Sequence, residues 1–192
     1  MADTRSLCAV LGVEITPGGL RYKTFVDDVP VGVYLMKAPD IGRLLRQDVL
    51  DLGLTGDEWL IEHDVPGERW CFEMTSYTAS VCLLMKHGDV REPRWLRSVV
   101  TPHPNLAGRL LRDLVPDGRI IAVAGSSEGL VPDVGDACLD LMETGSTARA
   151  NGLVVRLGFG SVTTHLAQSQ RFRAEYVEPV VKLLAESMVT VS

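Results

Sequence analysis

Asp136-Ala-Cys-Leu-Asp-Leu-Met-Glu-Thr-Gly-Ser-Thr-Ala-Arg-Ala-Asn-Gly152 is the stretch on which the fold turns. Asp136 to Met142 read as a strand, with Ala137, Leu139 and Leu141 on one face and Cys138 and Asp140 on the other. Glu143 to Thr147 turn the chain, and Ala148 to Ala150 continue as a helix that Asn151-Gly152 closes. Such a turn points the N–H groups of Gly145, Ser146 and Thr147 at one spot. The hydroxyls of Thr144, Ser146 and Thr147 add donors, and Gly145 lets the backbone approach an anion closely. The plainer alternative is that Thr144 or Ser146 only caps a short helix. A carboxylate just ahead of the loop, Asp140, is well placed for ribose hydroxyls, so the local chemistry points to a phosphate or a phosphoribose.

Outward from this stretch, short apolar runs alternate with amphipathic ones, the signature of an α/β protein. Val31 to Met36 read as a strand, Pro39-Asp40 open a helix, and Asp51 to Gly56 form a brief strand, together a β-α-β unit. Glu58 to Ile61 begin another short helix. Ser80 to Met85 and Arg97 to Thr101 read as strands, Asn105 to Val115 as a helix, and Gly118 to Ala124 as a strand. Val177, Val180, Val181, Leu184 and Met188 share one face of a C-terminal helix, with Pro179 in its first turns, where proline is tolerated. If the chain is bilobal, it crosses between lobes near Tyr77 and Asn151.

The 192 residues suffice for one compact domain or two small lobes. A net charge of −6 argues against a nucleic-acid-binding protein, because phosphate-backbone affinity needs clustered Lys and Arg. It does not argue against a small phosphorylated ligand held by backbone N–H groups. No apolar run is long enough for a membrane span, and the start lacks a signal-peptide pattern, so a cytoplasmic location is expected. Cys8, Cys71, Cys82 and Cys138 form no CxxC pair and read as free thiols. His63, His87, His103 and His165 are equally scattered, without metal-ligand spacing, so no resident metal site is expected.

Several ordered segments resemble the ATP phosphoribosyltransferase family over roughly residues 8–165. The family carries Gly-Ser-x-Glu, a spacer, then Ala-Asp-Ala-x-x-Asp-x-Val-x-Thr-Gly-x-Thr-Leu-x-x-Asn-Gly-Leu. Here Gly125-Ser-Ser-Glu128 precedes Gly135-Asp-Ala-Cys-Leu-Asp-Leu-Met-Glu-Thr-Gly-Ser-Thr-Ala-Arg-Ala-Asn-Gly-Leu153. Upstream, Asp40-Ile-Gly-Arg-Leu-Leu45 and Leu50-Asp-Leu-Gly-Leu-Thr-Gly-Asp57 resemble the family's Asp-Ile-Pro-x-x-Val and Val-Asp-Leu-Gly-Ile-Thr-Gly-x-Asp. Thr101-Pro-His-Pro-Asn-Leu106 is similar to its Thr-x-Tyr-Pro-x-Leu.

The resemblance implies an α/β, two-lobed fold of the type II periplasmic-binding-protein kind, with the site in the inter-lobe cleft. Lobe I would be residues 1–77 and 152–192, and lobe II residues 78–151. It implies transfer of the phosphoribosyl group of phosphoribosyl pyrophosphate to N1 of ATP or a related purine nucleotide, with Mg2+ on the pyrophosphate. Carried over, Asp140 and Glu128 are the catalytic candidates. Asp140, Glu143, Thr144, Gly145, Ser146 and Thr147 bind the phosphoribosyl group, and Asp51, Leu54, Thr55 and Gly56 line the nucleotide side. A homo-oligomer, or a complex with a regulatory subunit, is implied by analogy.

Two departures stand out. The family begins with a strand and a basic Pro-Lys-Gly-Arg-Leu loop, whereas Leu7 to Ile15 here resemble the end of the helix that follows it. Arg21, Lys23 or Lys37 could replace those cations, although each also reads as an ordinary solvated charge. Ala148 replaces the leucine after the loop threonine, a change expected to alter packing more than chemistry. The alternative function is a non-catalytic nucleotide or phosphoribosyl sensor, or a regulatory subunit, on the same fold.

Overall fold

The computed structural model describes residues 4–189, and side-chain placement is described for these except 75–78, 188 and 189. In chain order the elements are α1 (Thr4–Val10), β1 (Arg21–Val26), β2 (Val29–Tyr34), α2 (Ala38–Arg46), β3 (Leu52–Gly56) and α3 (Asp57–Glu62). They continue with β4 (Trp70–Lys86), β5 (Ser98–Thr101), α4 (Pro104–Leu110), β6 (Arg119–Ala122), β7 (Ala137–Met142), α5 (Ser146–Ala150), β8 (Leu153–Gln168) and α6 (Ala174–Val189). Two compact units result, one of residues Met1–Tyr77 with Thr163–Ser192, the other of Thr78–Val162. The long strands β4 and β8 each contribute to both.

In the first unit, β1 and β2 form an antiparallel hairpin in which Val26 pairs with Val29. Asp27 and Asp28 between them both have positive φ (47° and 63°), the geometry that matches a two-residue turn to strand twist. β3 instead pairs antiparallel with the end of β8, from Leu52 opposite Gln168 to Gly56 opposite Thr164. The expected β-α-β unit therefore does not form: β2 and β3 flank α2 but lie in different sheets, because β2 takes β1 as its partner. Val180 and Leu184 on α6 pack with Val26 and Leu166, and the expected Met188 lies outside the described side chains. Leu45 of α2 and Leu60 of α3 meet Val65 and Ala167 in a second cluster.

The second unit is a sheet with β7 between β4, antiparallel, and β5, parallel; β6 pairs parallel to β5. Val81, Cys82, Leu83, Leu84 and Met85 are all buried, which explains why this part of β4 is continuously apolar rather than alternating. The Asp136 carboxylate, at the entry to β7, accepts the N–H groups of Arg97 and Ser98 at 2.7 and 3.1 Å and ties β7 to the start of β5. α4 ends at Leu110, short of the helix read from sequence to Val115: the chain goes on as a turn in which the Leu111 carbonyl accepts the N–H groups of both Leu114 and Val115, leaving Leu114 exposed and Val115 buried. Leu153 packs with Cys82, Leu84, Cys138 and Ala148, so this unit continues past residue 152 to its boundary at Val162.

Candidate functional site

The stretch Asp136 to Gly152 forms the strand, turn and helix that its pattern predicts. Ala137, Cys138 and Leu139 are completely buried, fixing the root of β7, while Asp140 to Met142 emerge half-buried. Gly145 then takes φ +68°, a left-handed conformation that an L side chain adopts only with strain. A Cβ there would lie 3.1 Å from both the Arg149 Nη1 and the Met142 Sδ.

Gly145 is the N-cap of α5, and no side chain caps the helix. The first helical bond runs from the Arg149 N–H to the Gly145 carbonyl at 3.0 Å, so the earlier N–H groups have no intrahelical acceptor. The Ser146 N–H makes only a 3.4 Å approach to the Thr144 Oγ1, which itself donates to the Ser146 Oγ at 3.1 Å. Thr144, Ser146 and Thr147 are exposed and Ala148 is buried among Cys82, Leu84, Val131 and Leu153. A buried foot thus holds an exposed row of hydroxyls. Gly145 at the N-cap has no side chain to cap α5, and the Thr144 hydroxyl accepts the Ser146 N–H from one residue further back.

Arg149 was not singled out by sequence. Its guanidinium reaches back to donate to the Thr144 carbonyl at 2.9 Å and brings positive charge against the turn. The signal that could have found it is its place at the end of the first turn of α5. At the far end Gly152 has φ +64°, the Asn151 amide donates to the Thr147 carbonyl, and Lys86 donates to the Asn151 carbonyl at 3.0 Å.

The structure brings the two catalytic candidates to the same serine pair. Asp140 receives both the N–H and the hydroxyl of Ser127, while the Ser126 hydroxyl donates to the buried Glu128 carboxylate. Cys138 lies against this group, with burial pushing its thiol up to about 12 and the Ser127 hydrogen bond only partly offsetting that. It is a protonated, inert thiol at neutral pH. Glu143 is exposed on the turn.

The nucleotide-side candidates belong to the first unit. Thr55 is buried and donates to the Ala38 carbonyl at 3.4 Å, and the Asp51 carbonyl accepts the Ser169 N–H at 2.9 Å. These bonds fix β3 through the Thr55 hydroxyl and the Asp51 main chain, and the Asp51 side chain is exposed. Asp51 and Leu54 also line a cavity of about 820 Å³ among Leu7, Val31, Phe72, Leu166 and Leu184. Its predominantly apolar walls do not suit a phosphate. Gly56 opens α3, and the Glu58 side chain folds back beneath it. Burial raises the Glu58 carboxyl to about 7, with its own N–H lowering and Asp57 raising it less strongly. Burial also raises Asp57, against the Thr163 N–H and the charge of His165. Of the cations considered as substitutes for a basic loop, Arg21, Lys23 and Lys37 are all exposed, and Arg21 lies 5.8 Å from the Tyr34 ring centroid.

The fold is that of the two-lobed α/β binding proteins. An ancestral arginine-binding protein, solved with arginine, shares it at a TM-score of 0.56 and 14% identity, over 95% of this chain and 78% of that one. A chain of the ATP phosphoribosyl transferase (HisG:HisZ) complex from Thermotoga maritima matches more fully, with a TM-score of 0.80 and 21% identity over 97% of this chain and 92% of that chain. The family profile of ATP phosphoribosyltransferase (HisG) matches residues 37–188. The ATP phosphoribosyltransferase of Methanopyrus kandleri is 33% identical over 151 residues, 77% of this chain and 53% of that protein. The Lacticaseibacillus paracasei enzyme of the same name is 33% identical over 167 residues, covering 83% of this chain and 77% of the relative. The chain belongs to the ATP phosphoribosyltransferase family. It spans about half the length of the Methanopyrus relative.

Proposed function

We propose that the protein is a phosphoribosyltransferase of histidine biosynthesis, moving the phosphoribosyl group of phosphoribosyl pyrophosphate to N1 of ATP or a related purine nucleotide and releasing pyrophosphate. The observation that carries this reading is the run from Asp140 to Thr147: a carboxylate at the end of a buried strand, then exposed hydroxyls and the start of a helix on a left-handed glycine. In this reading Thr144, Gly145, Ser146 and Thr147 hold the 5′-phosphate, with Glu143 beside them, and Asp140 takes the ribose hydroxyls. Arg149 adds charge beside the turn. Glu128 and the Asp51, Leu54, Thr55 and Gly56 strand end contribute the nucleotide side.

The chemistry asks little of protein nucleophiles. Pyrophosphate leaves when its charge is absorbed, and the enzyme supplies alignment of the attacking ring nitrogen and stabilisation of an oxocarbenium-like centre. Mg2+ fits as a companion of the substrate pyrophosphate, since such an ion needs only one or two carboxylates besides phosphate oxygens. Asp140 and the exposed Glu143 are the carboxylates on the proposed phosphoribosyl side. No group of three or more His, Cys, Asp or Glu that could hold a metal occurs among the described residues. No helix among them is long and apolar enough to cross a membrane, and a cytoplasmic setting belongs to the same proposal. So does assembly as a homo-oligomer or with a regulatory subunit, in line with the two-component Thermotoga complex.

The test is Mg2+-dependent pyrophosphate release across a panel of purine nucleotides, with Asp140→Asn as the control. Turnover with ATP that the control lacks supports the proposal. A folded protein that turns over none of them overturns it; tight binding of phosphoribosyl pyrophosphate without release would then favour the sensor.

A further inference from the structure

We propose that Ser127 is a positioning residue that sets the Asp140 carboxylate for the ribose hydroxyls, an inference that rests on the role given to Asp140 above. Ser127 is completely buried, so it acts only through a neighbour. Its N–H and its hydroxyl both donate to the Asp140 Oδ2, at 3.1 and 2.6 Å. The Leu141 N–H donates to Oδ1 at 2.8 Å. Two donors occupy Oδ2, which leaves the free acceptor capacity of this half-buried carboxylate on Oδ1. The same three bonds hold the carboxylate plane against rotation.

The surroundings decide where the Ser127 proton goes. The Cys138 thiol, also in hydrogen-bond reach of Ser127, stays protonated in its buried position and can donate but not compete as an anion. The hydroxyl therefore points at Asp140, whose charge makes this a charge-assisted bond. Ser126 is committed to Glu128, so the adjacent serines each serve one carboxylate. In the Gly-Ser-x-Glu pattern Ser127 occupies the open position. A hydroxyl there is a feature of this chain, not a demand of the motif.

The experiment compares wild type, Ser127→Ala, Asp140→Asn and the double variant, with melting temperatures to verify folding. Ser127→Ala is expected to lower kcat/KM for phosphoribosyl pyrophosphate by about 10- to 100-fold, as loss of a charge-assisted bond and of alignment requires. The KM for the nucleotide should stay within about twofold, and in the Asp140→Asn background the same change should cost less than about twofold. If alanine lowers the melting temperature, Ser127→Cys, which fills the site with a slightly larger side chain and a weaker donor, carries the same expectation. Calorimetric binding of ribose 5-phosphate gives a readout independent of turnover and should weaken in step with kcat/KM.

A folded Ser127→Ala protein with unchanged kinetics, beside an impaired Asp140→Asn, overturns the role of Ser127 and leaves the proposed function standing. Equal losses in both backgrounds also overturn it, because a structural defect would be additive. A wild-type protein that neither binds nor turns over phosphoribosyl pyrophosphate defeats the functional reading itself.

Discussion

Glu58→Gln isolates the consequence of burying an ionisable group at the second position of α3. Glu58 is 6% exposed, and its Oε2 has no hydrogen-bond partner among the described residues. The carboxyl lies so close beneath Gly56 that a Cβ on that glycine would come within 2.0 Å of Oε2. Desolvation moves the carboxyl from 4.5 to about 7. The folded chain therefore holds the proton more tightly than the unfolded chain. Stability attributable to the neutral acid is complete below the unfolded value and is lost as pH rises through about 7. A tenfold change in proton affinity is worth about 1.4 kcal/mol, which sets the full loss at about 3 kcal/mol.

Glutamine cannot ionise, so the variant should escape this loss. Urea unfolding between about pH 5 and pH 8 should show the advantage of Glu58→Gln growing by up to about 3 kcal/mol across that interval, with m unchanged. Asp57, also raised by burial, is present in both proteins and its contribution largely cancels. A difference that is independent of pH, or that shrinks as pH rises, would refute the argument that Glu58 is buried as a neutral acid.

Two further perturbations probe the proposed phosphate turn. Gly145→Ala forces an L side chain to φ +68°, with a new Cβ 3.1 Å from the Arg149 Nη1 and the Met142 Sδ. It should cost about 1–2 kcal/mol in the loop conformation and weaken phosphoribosyl pyrophosphate binding about tenfold by calorimetry. Unchanged affinity would mean the backbone there does not approach the ligand. Arg149→Gln removes both the bond to the Thr144 carbonyl and the charge beside the turn. Its KM for phosphoribosyl pyrophosphate should rise about 3- to 10-fold and respond less to salt than the wild-type value.

The secondary structure was most legible where one signal dominated. The apolar run Ser80 to Met85 and the Asp136 to Gly152 stretch could be read because burial on both faces and a left-handed glycine leave local marks. β1 was not anticipated, since Arg21 to Val26 alternates exposed Arg21, Lys23 and Phe25 with half-buried Tyr22 and Thr24, and Val26 is its one buried apolar residue. Once β1 exists it claims β2, and the expected parallel unit around α2 disappears. Strand pairing is a choice among distant partners, and neither partner's own pattern records it.

The site divides in the same way. The order of residues along the chain is enough to mark Asp140 and the Thr144 to Thr147 turn as candidates, because a hydroxyl-rich turn after a strand has a local conformation and a local chemistry. That Ser127 holds Asp140, that Arg149 folds back on Thr144, and that the Glu58 carboxyl is buried beneath Gly56 came from the tertiary structure alone. A carboxylate looks the same in sequence whether it is solvated, bonded or desolvated. Its orientation and proton affinity are set by groups that folding brings to it, here from a loop 13 positions away in the case of Ser127 and Asp140.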